Sequence, residues 1–369
     1  MLRFLTAGES HGPSITAIIE GLPAGISIEK ALIDEVLKRR QMGYGRGKRM
    51  EIESDKVEII GGVRKGKTIG GPISIVIKNR DWENWKEKWD KLEPILSPRP
   101  GHADLVGAIK YRHLDIRNVL ERSSARETAA RVCVGAICKI FLLNFNIDVL
   151  GYVLGIGRIK TEKRPKNYEE IKDSLFFCAD KEYEKRMVKE IDIACENGDT
   201  VGGIFEVKAE GIPPGLGSYV HWDRRLDCQL AGAIMSIPGV KGVEIGLGFG
   251  YAEKLGSEVH DEIFYKDRFF RKTNNCGGIE GGVSNGESII IRGVMKPIPT
   301  LKKPLSSVNI ETKKETKASY ERSDVCAVPA CSVIGEAMVS FVIAQVFLER
   351  FGSDNMEMIE KTYREVVLI

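Results

Sequence analysis

Two histidines lie in glycine-containing turns beside basic residues, so they are the first candidates for proton transfer. His11 stands in the run GESHG, and His102 follows Arg99 in the run RPGHAD. Imidazole changes its charge near neutral pH, and a turn does not need a histidine to fold. Each histidine could instead be a hydrogen-bonded structural residue, and this alternative stays open on the residues alone.

Cations gather in the same part of the sequence. One glycine-rich loop carries five of them: Arg39, Arg40, Arg46, Lys48 and Arg49. Such a loop is either an anion-binding site or a solvated basic face. Arg99 adds a further guanidinium beside His102.

A second cationic segment is ERSSARET at 121–128. Ser124 and Glu127 have the spacing of a capping box, which predicts a helix that starts at Ser124 with free N–H groups. Helix starts bind anions, and Arg122 and Arg126 add forked donors that suit phosphate or carboxylate. We therefore expect an anion site here rather than a plain cap with surface arginines.

The last candidates lie in the second half of the chain. The run Lys296-Pro297-Ile298-Pro299-Thr300 is a stiff loop with one ammonium and one hydroxyl. Asp324 follows Arg322 and could act as a base or as a simple ion-pair partner. All candidates together comprise imidazoles, one carboxylate and many cations, without a metal-ligand set or an activated serine or cysteine. They predict proton transfers on a small substrate with several negative charges.

The composition of the chain limits the classes of protein to which it can belong. The chain has 369 residues with 55 Lys and Arg against 52 Asp and Glu, and a net charge of +3 disfavours a general nucleic-acid binder. A hydrophobic content of 43% is typical of a globular protein. Eight scattered cysteines form no Cys-x-x-Cys pair and are expected to be buried small hydrophobes. The sequence predicts neither a membrane span nor a signal peptide and favours the cytoplasm.

Short matches recur in the same order in the two halves of the chain, which predicts an internal duplication. GESHG at 8–12 pairs with GDTVG at 198–202, and EGLPAG at 20–25 with EGIPPG at 210–215. GGVRKG at 61–66 pairs with GGVSNG at 281–286, and ERS at 121–123 with ERS at 321–323. We expect a single domain built from halves 1–150 and 195–355, with a connecting insert at 151–194 and a tail at 356–369.

Each half is expected to contain strands, a helix, a hairpin and then a long apolar helix, at 124–145 and roughly 330–351. Because these two segments have few polar residues on any face, they should be buried between sheets. The insert at 160–195 and the tryptophan-containing stretch 81–92 predict surface helices, and 311–318 an exposed loop. GGVRKGKT matches a phosphate-binding loop, but the Gly-Gly-Pro and β-branched residues that follow it favour a hairpin.

Several runs together resemble the chorismate synthase family over almost the whole chain, apart from the 160–195 insert and the residues after about 355. They are GESHG, RPGHAD, ERSSARETAARV, VKGVEIG, NNCGGIEGG, KPIPTL and ERSDVCAVPA. The resemblance implies an α+β fold of two pseudo-equivalent, intertwined halves, with antiparallel sheets sandwiching the buried long helices. It also implies a lyase of aromatic amino acid biosynthesis. With reduced FMN, such an enzyme eliminates phosphate from 5-enolpyruvylshikimate 3-phosphate to give chorismate, without net redox change.

By motif position, the resemblance implies a role for each candidate. His11 would protonate the departing phosphate, His102 would sit at the N1 and O2 edge of the flavin, and Asp324 would take a proton from flavin N5. The substrate would be held by Arg40, Arg46, Arg99, Ser124 and Arg126. The FMN would be lined by Arg122, Ser123, Ser124, Pro238, Gly239, Gly281, Lys296, Pro297, Ile298, Pro299, Thr300 and Arg322.

The resemblance further implies a homotetramer and a separate flavin reductase, with NADPH as the upstream reductant. It also connects Arg40 and Arg46 with NADPH. No metal, nucleic acid or membrane partner is expected. Two other functions remain open on the sequence. A non-catalytic nucleotide or polyanion binder would show salt-sensitive nucleic-acid binding with no role for His11 or His102. An NADPH-linked oxidoreductase would consume NADPH in step with product.

Overall fold

A computed structural model describes residues 1–47, 54–321, 323–352 and 354–367. The helices are α1 Lys30–Gln41, α2 Asp104–Tyr111, α3 Arg117–Ser123, α4 Thr128–Leu143, α5 Lys181–Glu196, α6 Leu226–Met235, α7 Gly256–Val259, α8 Val328–Phe351 and α9 Met356–Val367. The strands are β1 Arg3–Ala7, β2 Ser14–Glu20, β3 Val57–Gly61, β4 Val63–Arg64, β5 Lys67–Thr68, β6 Ile73–Lys78, β7 Asp148–Ile156, β8 Ile159–Lys160, β9 Gly203–Glu210, β10 Val240–Ile245, β11 Ile263–Lys266, β12 Arg268–Arg271, β13 Ile279–Glu280, β14 Val283–Ser284, β15 Ile289–Met295, β16 Ser306–Val308 and β17 Glu315–Lys317.

Two antiparallel sheets form the frame. The first has the strand order β1-β2-β6-β3, and the second has the order β10-β15-β9-β7-β8. In β6 the alternate residues Ile73, Ile75 and Ile77 are buried, because successive side chains of a strand point to opposite faces. The mixed class with antiparallel sheets, expected from the sequence, is confirmed.

The long helices α4 and α8 pack against each other and against strands of the sheets. Helix α4 contacts β2 and β6 of the first sheet, while α8 contacts β7 and β9 of the second. The helices approach closely at Gly135, where a Cβ would lie 2.3 Å from Ala337. Helix α8 is long and apolar enough to cross a membrane, but 89% of its apolar window is buried inside the protein. The predicted burial of both segments is therefore confirmed.

The same hydrogen bonds recur in both halves. A hydroxyl of the second hairpin strand accepts a backbone N–H and donates to a backbone C=O of the preceding turn, at 2.6–2.9 Å. The N–H, hydroxyl and C=O belong to Ile26, Thr68 and Pro23 in the first half and to Leu216, Ser284 and Pro213 in the second. Thr68, and not Arg64, thus occupies the place of Ser284. The hairpin match read from the sequence has the wrong register, although both segments are hairpins.

Other local predictions fare unevenly. Strands β4 and β5 form a hairpin, so the rejection of a phosphate-binding loop is confirmed. Helix α5 lies in the predicted insert. The tryptophan stretch is not a helix but two short 3-10 turns, and 311–318 includes β17 of a hairpin rather than only a loop. Five cysteines are buried, whereas Cys195 and Cys228 are exposed and Cys276 is half-buried, so the uniform burial predicted for them is wrong.

Candidate active site

His11 lies in the turn between β1 and β2, held by a carboxylate at the end of α3. Its backbone N–H donates to Glu121 Oε2 at 2.8 Å, and its Nδ1 lies 2.8 Å from Glu121 Oε1. The indole of Trp85 covers the imidazole, with ring centroids 4.1 Å apart and planes inclined by 33°. The backbone, the ring edge and one ring face of His11 are therefore all held in place, as a positioned proton donor requires.

Ser124 lies next to this turn, at the junction of α3 and α4. Its Oγ accepts from Ser10 Oγ at 3.0 Å and from the Arg126 N–H at 3.4 Å. Ser124 caps a 3-10 turn, Ala125–Glu127, and α4 begins only at Thr128. Glu127 accepts from Thr6 rather than completing a capping box, so the predicted box and helix start are wrong by one turn.

Arg126 and Arg40 share one buried carboxylate, Asp55. Both oxygens of Asp55 accept from Arg126 Nη1, at 2.7 and 2.8 Å, and Arg40 Nη1 lies 3.7 Å from Oδ2. Arg126 Nε also donates to Asn79 Oδ1, and Asn79 Nδ2 donates to Gly12 O. Asn79 therefore ties the arginine to the turn that carries His11.

Arg40 is a cation in a nearly dry site. Its Nε donates to Thr128 Oγ1 at 3.0 Å and its Nη2 to Ala125 O at 2.9 Å. Burial lowers the pKa of Arg40, Asp55 opposes this, and the charges of Arg126 and Arg46 add to it, so that the pKa lies at about 10. Burial is thus the main reason for the lowered pKa, and repulsion from the neighbouring arginines adds to it; a bound anion would favour the charged form.

Asp324 meets the basic loop from the other half of the chain. Its Oδ2 lies 3.3 Å from Arg46 Nε, and its Oδ1 accepts the Gly47 N–H at 2.6 Å. Arg39 and Arg40, expected on this loop, lie instead in the last turn of α1, and the two terminal nitrogens of Arg39 donate to Glu336 in the core at 2.9 Å each. Lys48 and Arg49 lie outside the described residues. Among the described arginines of this region, Arg46 contacts Asp324.

His102 belongs to a second charged group, built around Asp104. Asp104 Oδ1 contacts His102 Nδ1, and Oδ2 accepts from Arg99 Nε at 2.8 Å and from its backbone N–H at 3.0 Å. Arg99 Nη1 donates to Thr300 Oγ1 at 2.8 Å. Burial alone would raise the pKa of Asp104, but hydrogen bonds from His102 and Arg99 hold it well below its usual range. Asp104 thus stays a carboxylate.

The turn at 198–202, which the sequence matched to the His11 turn, connects the second group to Asp324. In this turn, Thr200 Oγ1 donates to Ile298 O at 2.7 Å, two residues before the Thr300 that binds Arg99. The next residue, Val201, donates its N–H to Val325 O at 3.0 Å, directly after Asp324. The turn with histidine therefore serves the first charged group, and the turn with valine braces the second.

A third chain of contacts joins several residues expected at the cofactor. Arg122 Nη2 donates to Thr6 Oγ1 at 2.8 Å, and this hydroxyl donates to Glu127 at 2.7 Å. Glu127 also accepts from Arg131, which reaches Ser236 Oγ at 2.9 Å, just before Pro238 and Gly239. The C=O of Gly239 accepts the Lys296 N–H at 2.9 Å. Residues far apart in sequence are thus brought together.

The loop 296–300 lies against the turn of His102. Lys296 Nζ donates to Gly101 O, and Pro299 would lie 3.8 Å from a Cβ on Gly101. Burial lowers the pKa of Lys296, and Lys241 adds to the shift. Pro297 is the exposed residue of this loop.

Gly281, one of the expected residues, is not joined to this network among the described residues. Gly281 forms the exposed tip of the β13–β14 hairpin, and no hydrogen bond among the described residues connects it to the other candidates. Arg322 lies outside the described residues. Two surface cavities, of about 520 and 760 Å³, are lined by other residues, including Arg225 and Ile279 for the smaller one. Neither cavity contains a predicted proton carrier.

Sequence reasoning missed the acidic and amide partners of the site. Glu121, Asp55 and Asn79 are buried polar residues that orient the candidates, and Trp85, which the sequence placed on a surface helix, touches His11. The signal for Glu121 was its place before Arg122 in the repeated ERS run. Nothing local marks Asp55 or Asn79, since their partners lie far away along the chain.

The fold and these side chains define a class of protein: an α+β protein in which two histidines, the candidates for proton transfer, lie beside buried arginines and carboxylates. The chorismate synthase family matches residues 2–348 of the chain. The chorismate synthases of Geotalea uraniireducens and Aquifex aeolicus are 54% and 52% identical, each covering 99% of this chain and 98% and 97% of their own length. A crystal structure of chorismate synthase covers 99% of this chain and 97% of its own, with 43% identity and a TM-score of 0.81. The chain therefore belongs to the chorismate synthase family, whose members are lyases of aromatic amino acid biosynthesis.

Proposed function

We propose that the site around His11 eliminates phosphate from 5-enolpyruvylshikimate 3-phosphate, the reaction of the family to which the chain belongs. The observation that carries this proposal is the continuous network that ties His11, through Asn79, to Arg126, Asp55 and Arg40. A proton donor fixed beside buried guanidinium groups fits a leaving phosphate, which gains negative charge as its C–O bond breaks.

In this mechanism the arginines bind and His11 supplies a proton. Arg40 and Arg126 neutralise substrate anions, and Ser124 adds a hydroxyl beside them. His11 transfers a proton to an oxygen of the departing phosphate, which makes it a better leaving group. Trp85 covers the imidazole ring and excludes water from one face of it. Binding of the anions offsets the burial and the neighbouring positive charges that lower the pKa of Arg40.

The residues of the second charged group, together with Asp324, would handle the proton that the substrate loses in the elimination. His102 holds a proton on a ring whose Nδ1 faces Asp104, and Arg99 beside it binds a substrate anion. Asp324, oriented by Arg46 and the Gly47 N–H, accepts a proton at its carboxylate. When bound, reduced FMN supplies electron density that lowers the cost of C–O cleavage.

The family uses reduced flavin, and the residues of this chain fit an FMN. Ser123 Oγ is buried and has no hydrogen-bond partner among the described residues, so it is a donor in need of an acceptor. Arg122 and Lys296 form no ion pair within the described part of the chain, and Lys296 is partly desolvated. A phosphate or a carbonyl-rich ring edge would satisfy these groups. Arg122, Ser123, Pro238, Gly239 and the loop 296–300 would hold it.

Several broader features belong to the same proposal. The matching strand orders and hydrogen bonds of the two halves support a duplicated unit that sandwiches α4 and α8 between sheets. We also propose a homotetramer, a cytoplasmic location and a separate reductase that supplies FMN, with NADPH as upstream reductant. The alternatives of a polyanion binder and a net oxidoreductase are not favoured, because family and relatives agree on the lyase.

An anaerobic assay of phosphate release, with dithionite-reduced FMN and the enolpyruvyl substrate, tests the proposal. We expect His11→Ala and His102→Ala each to lower kcat by about 10²-fold while FMN still binds. The matched control is His221→Ala, since His221 also pairs with an aspartate, Asp223, but on the exposed surface. The control should stay within about twofold of the unmodified chain. Unchanged turnover in both site variants would refute the assignment.

A further inference from the structure

Glu121 has no role in the mechanism above, although its carboxylate binds His11 twice. One oxygen accepts the backbone N–H of His11 and the other lies at its Nδ1, both at 2.8 Å. Glu121 is only 6% exposed. Within the described part of the chain, its only ion pair is the one with His11. Burying a carboxylate is costly unless it is paired, and the partner of this carboxylate is the imidazole of His11.

The chemistry of the carboxylate decides which ring nitrogen carries the transferred proton. An ionised carboxylate only accepts hydrogen bonds, so the nitrogen that faces Glu121 must bear hydrogen. Nδ1 is therefore committed to Glu121, and Nε2 is the nitrogen that can give a proton to substrate. Trp85 lies over the ring at 4.1 Å and blocks rotation of the imidazole out of this arrangement.

We propose that Glu121 is the positioning residue for His11, fixing its tautomer and compensating the charge of its protonated form. This inference rests on the proposed function. During transfer the Nε2–H bond breaks, an O–H bond forms on the departing phosphate, and the ring becomes neutral with Nδ1–H still bonded to Glu121. The same logic applies to metal-bound and catalytic histidines generally, where a partner on one nitrogen sets the behaviour of the other.

The second histidine, His102, differs from His11 because its carboxylate is shared with an arginine. His102 also presents Nδ1 to a carboxylate, but Asp104 divides its oxygens between His102 and Arg99. Glu121 gives both oxygens to a single residue. Among the described residues, the carboxylate of Glu121 forms an ion pair with His11 and with no arginine. Its removal should therefore affect one proton transfer and leave the anion-binding arginines in place.

Kinetics of three variants test the role. Glu121→Gln keeps an acceptor for the backbone N–H but removes the charge, and we expect kcat to fall about 10²-fold with KM and FMN affinity within about threefold. Glu121→Asp restores the charge on a shorter side chain and should recover at least about tenfold of that loss. The matched control is Glu321→Gln, in the second ERS run, where the repeat has Val201 in place of His11. The control should change kcat by less than about twofold.

A spectroscopic readout separates positioning from a merely structural role. The chain has 5 histidines, so selective ¹⁵N-histidine labelling gives few enough signals to assign His11 with His11→Ala. We expect neutral His11 to carry its proton on Nδ1 in the unmodified chain, and Glu121→Gln to raise the Nε2–H tautomer. An unchanged tautomer, or a loss of affinity with normal kcat, would overturn the proposal.

A double variant makes the failure of this inference distinguishable from failure of the proposed function. If Glu121 acts through His11, then adding Glu121→Gln to His11→Ala should lower kcat no further. A further loss would show that Glu121 acts elsewhere. If His11→Ala keeps full turnover, the proposed function of His11 fails. If His11→Ala loses turnover and Glu121→Gln does not, only the positioning role fails.

Discussion

Replacing Gly135 with alanine tests the contact between the two long helices on which the site depends. The added Cβ would lie 2.3 Å from Cα and Cβ of Ala337 and 2.5 Å from its carbonyl oxygen. Ordinary van der Waals contact begins near 3.4 Å, so the helices must separate by about 1 Å. No side-chain rotation relieves a clash with backbone, and the cost therefore falls on the packing of α4 against α8.

The expected loss follows from two opposing terms. Overpacking of a tight core costs about 1–3 kcal/mol, and this rigid contact belongs at the upper end. Alanine in place of glycine returns about 1 kcal/mol through helix propensity. We therefore expect the free energy of unfolding of Gly135→Ala to fall by about 2 kcal/mol. Because Ser124 and Arg126 precede α4 and Asp324 precedes α8, a displacement of about 1 Å should also lower kcat by up to about 10²-fold.

Urea unfolding and phosphate release measure both effects. The matched control is Gly232→Ala in α6, where nothing lies within 4 Å of the added Cβ. This control should gain about 1 kcal/mol and keep its turnover. The reasoning is refuted if Gly135→Ala is as stable as Gly232→Ala, because the two differ only in the space around the new methyl group.

Three further predictions use the charges and thiols of the structure. Burial by itself would raise the pKa of Glu336, but Arg39 and Lys139 outweigh it and lower the pKa to about 2. A carboxyl group whose pKa is lower in the folded than in the unfolded state stabilises the fold at pH values above its unfolded pKa. This stabilisation is lost as the pH falls through the folded pKa. The free energy of unfolding of the unmodified chain, measured with urea, should thus drop by about 3 kcal/mol between about pH 4.5 and pH 2. Glu336→Gln should be less stable at pH 7 and show a flatter pH profile; parallel profiles would contradict this. Asp55→Asn leaves Arg126 and Arg40 without their shared carboxylate and should lower the free energy of unfolding by about 3 kcal/mol. Added phosphate should raise the melting temperature of this variant more than that of the unmodified chain, and equal shifts would count against the ion network. A thiol reagent should label exposed Cys195 and Cys228 at once and the five buried cysteines only in denaturant, and rapid native labelling of Cys133 would contradict the packing described here.

The sequence predicted the fold where the signal is local or repeated. The two apolar segments were recognised as buried because they lack a polar face, and α8 indeed runs from Val328 to Phe351. The hairpin at 61–68 was recognised from Gly-Gly-Pro and the β-branched residues that follow. Predictions failed where neighbours compete with local preference. The tryptophan stretch has helical spacing, but Trp85 packs on His11 and the segment forms short 3-10 turns.

The residues of the site were named by sequence, but their partners were not. His11, Arg126 and Asp324 could be chosen because their types stand out in glycine-rich or capping contexts. Glu121, Asp55 and Asp104 have equal weight in the structure, yet an acidic residue in a sequence is ordinarily a solvated surface group. Only burial turns such a carboxylate into a partner that must be paired.

The sequence by itself determined the chemical inventory of this protein: two imidazoles, a carboxylate and a set of guanidinium groups, placed on turns and helix starts by local propensities. The tertiary structure decided which of these groups meet. Glu121 reaches His11, Asp55 reaches Arg126, and Asp324 reaches Arg46 across long stretches of chain. The physical reason is that turn chemistry and periodicity act over a few residues, while pairing of distant side chains depends on the antiparallel sheets and on the contact between α4 and α8, which bring distant segments of the chain together.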